Sequence, residues 1–203
     1  MKNATKFITG TIFLMLLSML FSCAGRGEPK IPYAEGGSYA GFSDITSDYT
    51  SADAERHGCL LIDIKTELNE YGVNINKEVR TAGYEKWQSF VAKAEAHENT
   101  FLRVATFIDG VGYYKDIYFV DGKYTAFDLN EYGVSEGKTF KYLRRLDGYD
   151  GPMTDRQKAS YYVLTDSTEL TFEDVRWSFF ASDLSTVTKI PFEWLGFMIY
   201  FEK

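Results

Sequence analysis

Apolar and polar positions alternate along this chain with two different periods. From Thr100 to Leu129, TFLRVATFIDGVGYYKDIYFVDGKYTAFDL, strand-like runs are parted by Asp109-Gly110 and Asp121-Gly122, dipeptides that favour two-residue hairpin turns. Three strands in a meander follow. Turns of that length set Ile108 opposite Val111 and Val120 opposite Lys123, so Arg103 falls opposite Asp116 and Lys115 opposite Asp128. Two opposite-charge pairs thus emerge from a register chosen without reference to charge. As exposed pairs each contributes roughly a few tenths of a kcal/mol, and a slip by one residue loses both while inverting the faces.

A helical period takes over in TAGYEKWQSFVAKAEAHE, where Tyr84, Trp87, Val91 and Ala94 recur on one side with Phe90 alongside, and Lys86, Lys93 and Glu95 lie opposite. That aromatic stripe reads as a core face. SADAERHG predicts a short helix capped by Ser51 or Thr50 and stopped at Gly58, followed by the strand CLLIDIKT. Farther on, KTFKYLRRL and ASYYVLTD read as strands parted by the loop GYDGPMTDRQK. Thr171 and Asp174 open a capping box for TFEDVRWSFFAS, whose wide apolar sector carries Phe172, Val175 and Phe179, with Trp177 and Phe180 adjacent. LSTVTKI and, after Pro191, EWLGFMIYFE supply two last strands, with a bulge expected at Gly196. The pattern predicts one α+β domain over residues 47–203: an antiparallel sheet of six to eight strands with a central hairpin meander and two or three helices packed on it.

The hexapeptide LNEYGV occurs at Leu68–Val73 and again at Leu129–Val134. A duplicated domain would match around both copies at the same offset, yet RTAGYEKW and KYLRRLDG share nothing. Each copy instead ends a strand and places glycine where a turn needs positive φ, so one exit turn is used twice. The functional alternative is that Tyr71 and Tyr132 flank a shared binding surface.

The first residues change the picture of where this domain works. MKNATKFITGTIFLMLLSMLFSC places Lys2 and Lys6 before an apolar run ending at Cys23, the order of a secretory signal. Leu20, Phe21, Ser22 and Cys23 resemble the lipobox of bacterial lipoproteins, which implies cleavage after residue 22 and acyl chains on Cys23. The alternative is an ordinary signal peptide with an incidental cysteine. Residues 1–22 are therefore expected as signal peptide and 23–46, rich in Gly, Pro and Ser, as a flexible tether. The anchor would place the protein in the cell envelope, outside the cytoplasmic membrane; Ala24 after the cysteine resembles lipoproteins sorted to an outer membrane where the host has one.

Charge removes one class of partner. The whole chain carries 22 basic and 29 acidic residues, a net charge of −7, with no basic run. Phosphates repel such a surface, so no nucleic-acid partner is expected. With Cys23 lipidated only Cys59 remains, and a lone thiol forms no internal disulfide.

Candidate chemistry is sparse. Cys59 beside His57 reads as a reactive thiol or, more plainly, as a small buried hydrophobe. His97 at a helix end suits the dipole. Asp147, Asp150 and Asp155 lack the spacing of a calcium loop. Neither histidine lies in a GxSxG, HExxH or Cys-His setting, so no catalytic residue, metal ligand or cofactor is assigned. Tyr113, Tyr114, Tyr118 and Tyr124 on the meander offer aromatic contacts for a glycan or small ligand, the first and last on one face and the middle two on the other.

Tyr49, Ala54 and Gly58, the helix around Trp87 and Phe90, then Arg103, Thr106, Gly110, Asp116 and Asp121-Gly122-Lys123 resemble a family of small secreted or lipid-anchored domains of unknown function common in Gram-positive bacteria. The resemblance implies an extracytoplasmic α+β module and supplies no catalytic residues. The sequence thus points to a lipid-anchored envelope protein, membrane-held through Cys23, acting as a non-enzymatic module for an envelope protein or glycan. The alternatives are an envelope hydrolase using carboxylates, or glycan or small-ligand binding through surface aromatics.

Overall fold

The structure is a computed structural model and describes residues 29–33, 37–151, 156–180 and 189–200. Cys23, the signal segment and Asp155 lie outside these residues. Helix α1, Ser51–Arg56, is capped by Thr50, whose hydroxyl accepts from the Asp53 N–H while the Asp53 carboxylate accepts in return. Strand β1, Leu60–Leu68, follows, then β2, Asn74–Ala82, and helix α2, Tyr84–Glu95. Strands β3, Thr100–Ile108, β4, Val111–Val120, and β5, Lys123–Asn130, then run back and forth in the expected register, with Arg103 opposite Asp116 and Lys115 opposite Asp128.

The short strands β6, Gly133–Val134, and β7, Lys138–Phe140, both pair with β5 and complete a seven-stranded sheet of order β2-β1-β3-β4-β5-β6. This corrects the expectation of a purely antiparallel sheet, because β1 and β3 are parallel. The cause is the intervening β2 and α2: β2 returns along one side of β1, and α2 carries the chain across to the other side before β3 starts. Strand β2 was not anticipated. Its sequence, NINKEVRTA, has no period-2 alternation, since an edge strand exposed on both faces needs none.

A second, three-stranded antiparallel sheet of order β10-β9-β8 is built from β8, Tyr142–Asp150, β9, Gln157–Thr165, and β10, Phe192–Tyr200. The segment KTFKYLRRL is therefore divided between two sheets. The break falls at Lys141, whose N–H donates to Asp166 Oδ1 at 2.9 Å. Residues 148–150, expected in a loop, continue β8. Helix α3, Phe172–Phe180, starts from the predicted Thr171/Asp174 box and buries Phe172 and Val175 against β8 and β9, whereas Trp177 and Phe179 are largely exposed. In β10, Gly196 at φ +86° marks the expected bulge, where pairing with β9 lapses between Trp194 and Met198.

Both faces of the large sheet are covered. On one, Trp87 and Phe90 of α2 pack on Leu60, Ile62, Val104 and Ile117, with Leu164, Leu195 and Phe197 of the second sheet joining the same core. Each fully buried side chain of this size contributes about 1.5–3 kcal/mol. On the other, residues 29–33 and 37–50 form a strap: Phe42 is buried and Ile31, Tyr39, Ile45 and Tyr49 pack on Leu61, Phe107, Tyr118 and Phe127. Much of the segment expected as a tether is thus packed on the sheet. Among the described residues no helix is long and apolar enough to cross a membrane.

Candidate functional site

The strap face carries the most concentrated polar cluster. The Arg103 Nε donates to Asp116 Oδ1 at 2.6 Å and Nη2 to Asp116 Oδ2 at 2.8 Å, while Nη1 reaches both Asp44 oxygens at 2.8 and 2.9 Å. Nη2 also donates to the Gly41 carbonyl, so all three guanidinium nitrogens are engaged. The Tyr39 hydroxyl donates to Asp116 and lies 3.1 Å from the Tyr118 hydroxyl. Asp116 is fully buried. Burial pushes its carboxyl upward, and Arg103 and Tyr39 hold that push in check. Burial opposes the Arg103 charge, but Asp116 and Asp44 keep it well above its ordinary range. Burial, then Asp116, raises the Tyr39 phenol, and burial pushes Tyr118 up to about 12. These are the marks of a structural latch whose donors and acceptors are consumed by one another.

Beside the latch, the Tyr49 hydroxyl stands 3.1 Å from His57 Nδ1 and 4.0 Å from the Cys59 sulfur. Cys59 is buried, and burial pushes its thiol up, which leaves it protonated and unreactive near neutral pH. Cys59 is the small buried hydrophobe of the plainer reading.

The sequence-predicted aromatics do not form an open shelf. Tyr114 and Tyr118 lie beneath the strap and Tyr124 beneath α2; only Tyr113 is substantially exposed. Tyr71 and Tyr132 are among the most exposed residues, but the expectation of one turn used twice is corrected: Leu68 pairs with Asn74 around a five-residue turn, whereas Leu129 pairs with Val134 and Asn130 with Gly133 around a two-residue one. Asn69 Oδ1 accepts from the N–H groups of Tyr71 and Val73, and Asn130 Oδ1 accepts from that of Tyr132. Gly72 and Gly133 have φ of +71° and +100°. The two turns close β1 onto β2 and β5 onto β6, at opposite edges of the sheet, and no surface joins the two tyrosines. Asp147 is held by Arg145 and Ser160, and Asp150 by Arg176. Among the described residues no His, Cys, Asp or Glu cluster is arranged to hold a metal ion.

The candidate binding site lies on the α2 face, where β10 overhangs the large sheet and leaves an apolar trough that sequence reasoning missed. Its larger lobe, about 700 Å³, is lined by Ile62, Ile64, Val79, Thr81, Tyr84 and Phe197. A smaller lobe of about 410 Å³ extends past Val104, Ile108, Tyr113 and Leu129. Ile64, Trp194 and Gly196 line both. The bulge at Gly196 shapes this region, and Trp194 is fixed by donating its indole N–H to the Phe197 carbonyl at 3.2 Å. At the β5 end, Lys115 Nζ lies 2.6 Å from Asp128 and also pairs with Glu193, while Lys138 reaches Glu193 at 2.9 Å. Two cations and two carboxylates balance there, so the trough offers apolar surface bordered by neutralised charge. Pockets of this composition are the usual form of ligand sites.

No family model, no curated protein and no solved structure matches this chain.

Proposed function

We propose that this chain is a lipid-anchored envelope protein, held through acyl chains on Cys23, whose folded domain is a non-enzymatic binding module with the trough as its ligand site. The apolar trough beneath β10 carries this reading. A surface that keeps Ile64, Val79, Trp194 and Phe197 around one cavity gains by covering them, at about 25 cal/mol per Å² of apolar area removed from water. The charged groups nearby are committed to each other, which favours binding through shape and apolar contact over proton transfer. The anchor rests on the lipobox-like residues and adds proximity. Only five residues lie between Cys23 and Pro29, a reach of at most about 22 Å. The domain would therefore meet its ligand at the membrane surface.

The test is photocrosslinking in intact envelopes. A benzophenone side chain placed at position 79 in the trough should give a discrete adduct, and one at Glu98, beyond the end of α2, should not. Equal labelling at both positions would remove the trough from consideration. For the anchor, Cys23→Ser should abolish palmitate incorporation; undiminished labelling would refute the lipidation.

A further inference from the structure

We infer that β2 takes up an extended peptide by strand addition, with alternate side chains of that peptide entering the trough. The inference rests on the trough being the binding site and names the class of its ligand. Among the described residues β2 is the last strand of its sheet, so its outer row of backbone N–H and C=O groups meets no other strand. Nine residues without proline make an edge that another chain can pair with, although a bulge at Lys77, opposite Lys65 and Thr66, divides it.

Its charges do not guard it. Lys77 pairs with Glu67 at 2.7 Å, Glu78 with Lys65 at 3.5 Å, and Arg80 with Glu55, so the edge presents no net charge to an incoming strand. Past Ile64, β1 has left β3, and Lys65–Leu68 pairs only with β2. On the β1 side Thr66 is tied to Asp109 of the β3–β4 turn at 2.9 Å, so the edge left open to a further strand is that of β2.

The same strand forms a wall of the trough. Asn76, Val79 and Thr81 line the larger lobe, next to Tyr84. A peptide added beside β2 would turn every second side chain towards them. Backbone pairing would supply affinity and the trough would select those alternate residues. The fitting ligand is an extended segment with aliphatic side chains at alternate positions and neutral or basic flanks, because the chain's own net charge is −7.

The probe is a fluorescent nine-residue peptide alternating valine and threonine between terminal lysines, titrated by anisotropy into the full chain in detergent micelles. Two further forms carry N-methyl groups on the valines alone or on the threonines alone, each blocking one edge of the peptide. Strand addition requires that one methylated form bind at least about tenfold more weakly than the other, the equivalent of one backbone hydrogen bond. Val79→Lys should weaken the unmethylated peptide by about tenfold or more, and Glu98→Lys should leave it unchanged. Equal affinities of the two methylated forms would overturn strand addition, as would failure of the unmethylated peptide to bind. If the position-79 crosslink persists in either case, the trough stands as a site for another apolar ligand; if that crosslink is also absent, both readings fall.

Discussion

Arg103 shows how far a single position can be read before the fold is known. The DG turns at Asp109-Gly110 and Asp121-Gly122 fix the register that places it opposite Asp116, and that pairing is observed. Its burial was not legible, because the cover comes from Tyr39 and Phe42 in a stretch without any hydrophobic period. An exposed cross-strand pair contributes tenths of a kcal/mol, whereas removing one partner of a buried pair strands the other charge. Arg103→Met should therefore destabilise the chain by about 3–5 kcal/mol in urea unfolding followed by tryptophan fluorescence. The double substitution Arg103→Met/Asp116→Leu should recover most of that loss, since no buried charge is then left alone. A double mutant as unstable as the single one would mean that Arg103 acts through Asp44 and the Gly41 carbonyl instead.

At the level of elements, what the sequence discloses depends on whether an element's burial leaves a period. Helix α2 does, and it buries Trp87, Phe90 and Ala94, while Tyr84 of the expected stripe, in the first turn, is exposed. Strand β2 does not, and KTFKYLRRL hides a change of sheet because both of its halves are strand-like. The repeated LNEYGV was readable as a chain reversal in both places, through asparagine accepting backbone N–H groups and glycine taking positive φ, but not as one turn, since the first copy spans five residues between paired strands and the second two. Gly72→Ala and Gly133→Ala should each cost about 1 kcal/mol, the left-handed penalty for a residue with Cβ. The asparagines should differ, because Asn69 accepts from two N–H groups and Asn130 from one. Asn69→Ala should lower stability more than Asn130→Ala, by roughly the 0.5–1.5 kcal/mol of one net hydrogen bond. Identical losses in chemical denaturation would show that the glycines alone hold both turns.

For the whole molecule the question is what seats the second sheet on the first, and here sequence reasoning had little to work with. Lys115 and Asp128 were legible as a cross-strand pair, but their third member, Glu193, comes from β10 and from 78 residues away along the chain. The trough exists because of that docking, so it was invisible for the same reason. Burial pushes the Glu193 carboxyl up, but Lys115 and Lys138 pull it down further, and the net position is below its ordinary value of 4.5. A carboxyl depressed in the folded state lends stability that is fully present above its unfolded value and is lost as pH falls through the folded one. Glu193→Gln should therefore cost about 1.5–3 kcal/mol at pH 7, the range for a hydrogen bond to a charged group. The gap between wild type and Glu193→Gln should then close as the pH is lowered below 4.5 in a series of urea titrations. Because the bridge joins the sheets at one end of the trough, peptide affinity should fall over the same pH window. A stability gap that stays constant from pH 7 to pH 3 would show that the sheets are held by the apolar contacts of Leu164, Leu195 and Phe197, with the ion network a passenger on them.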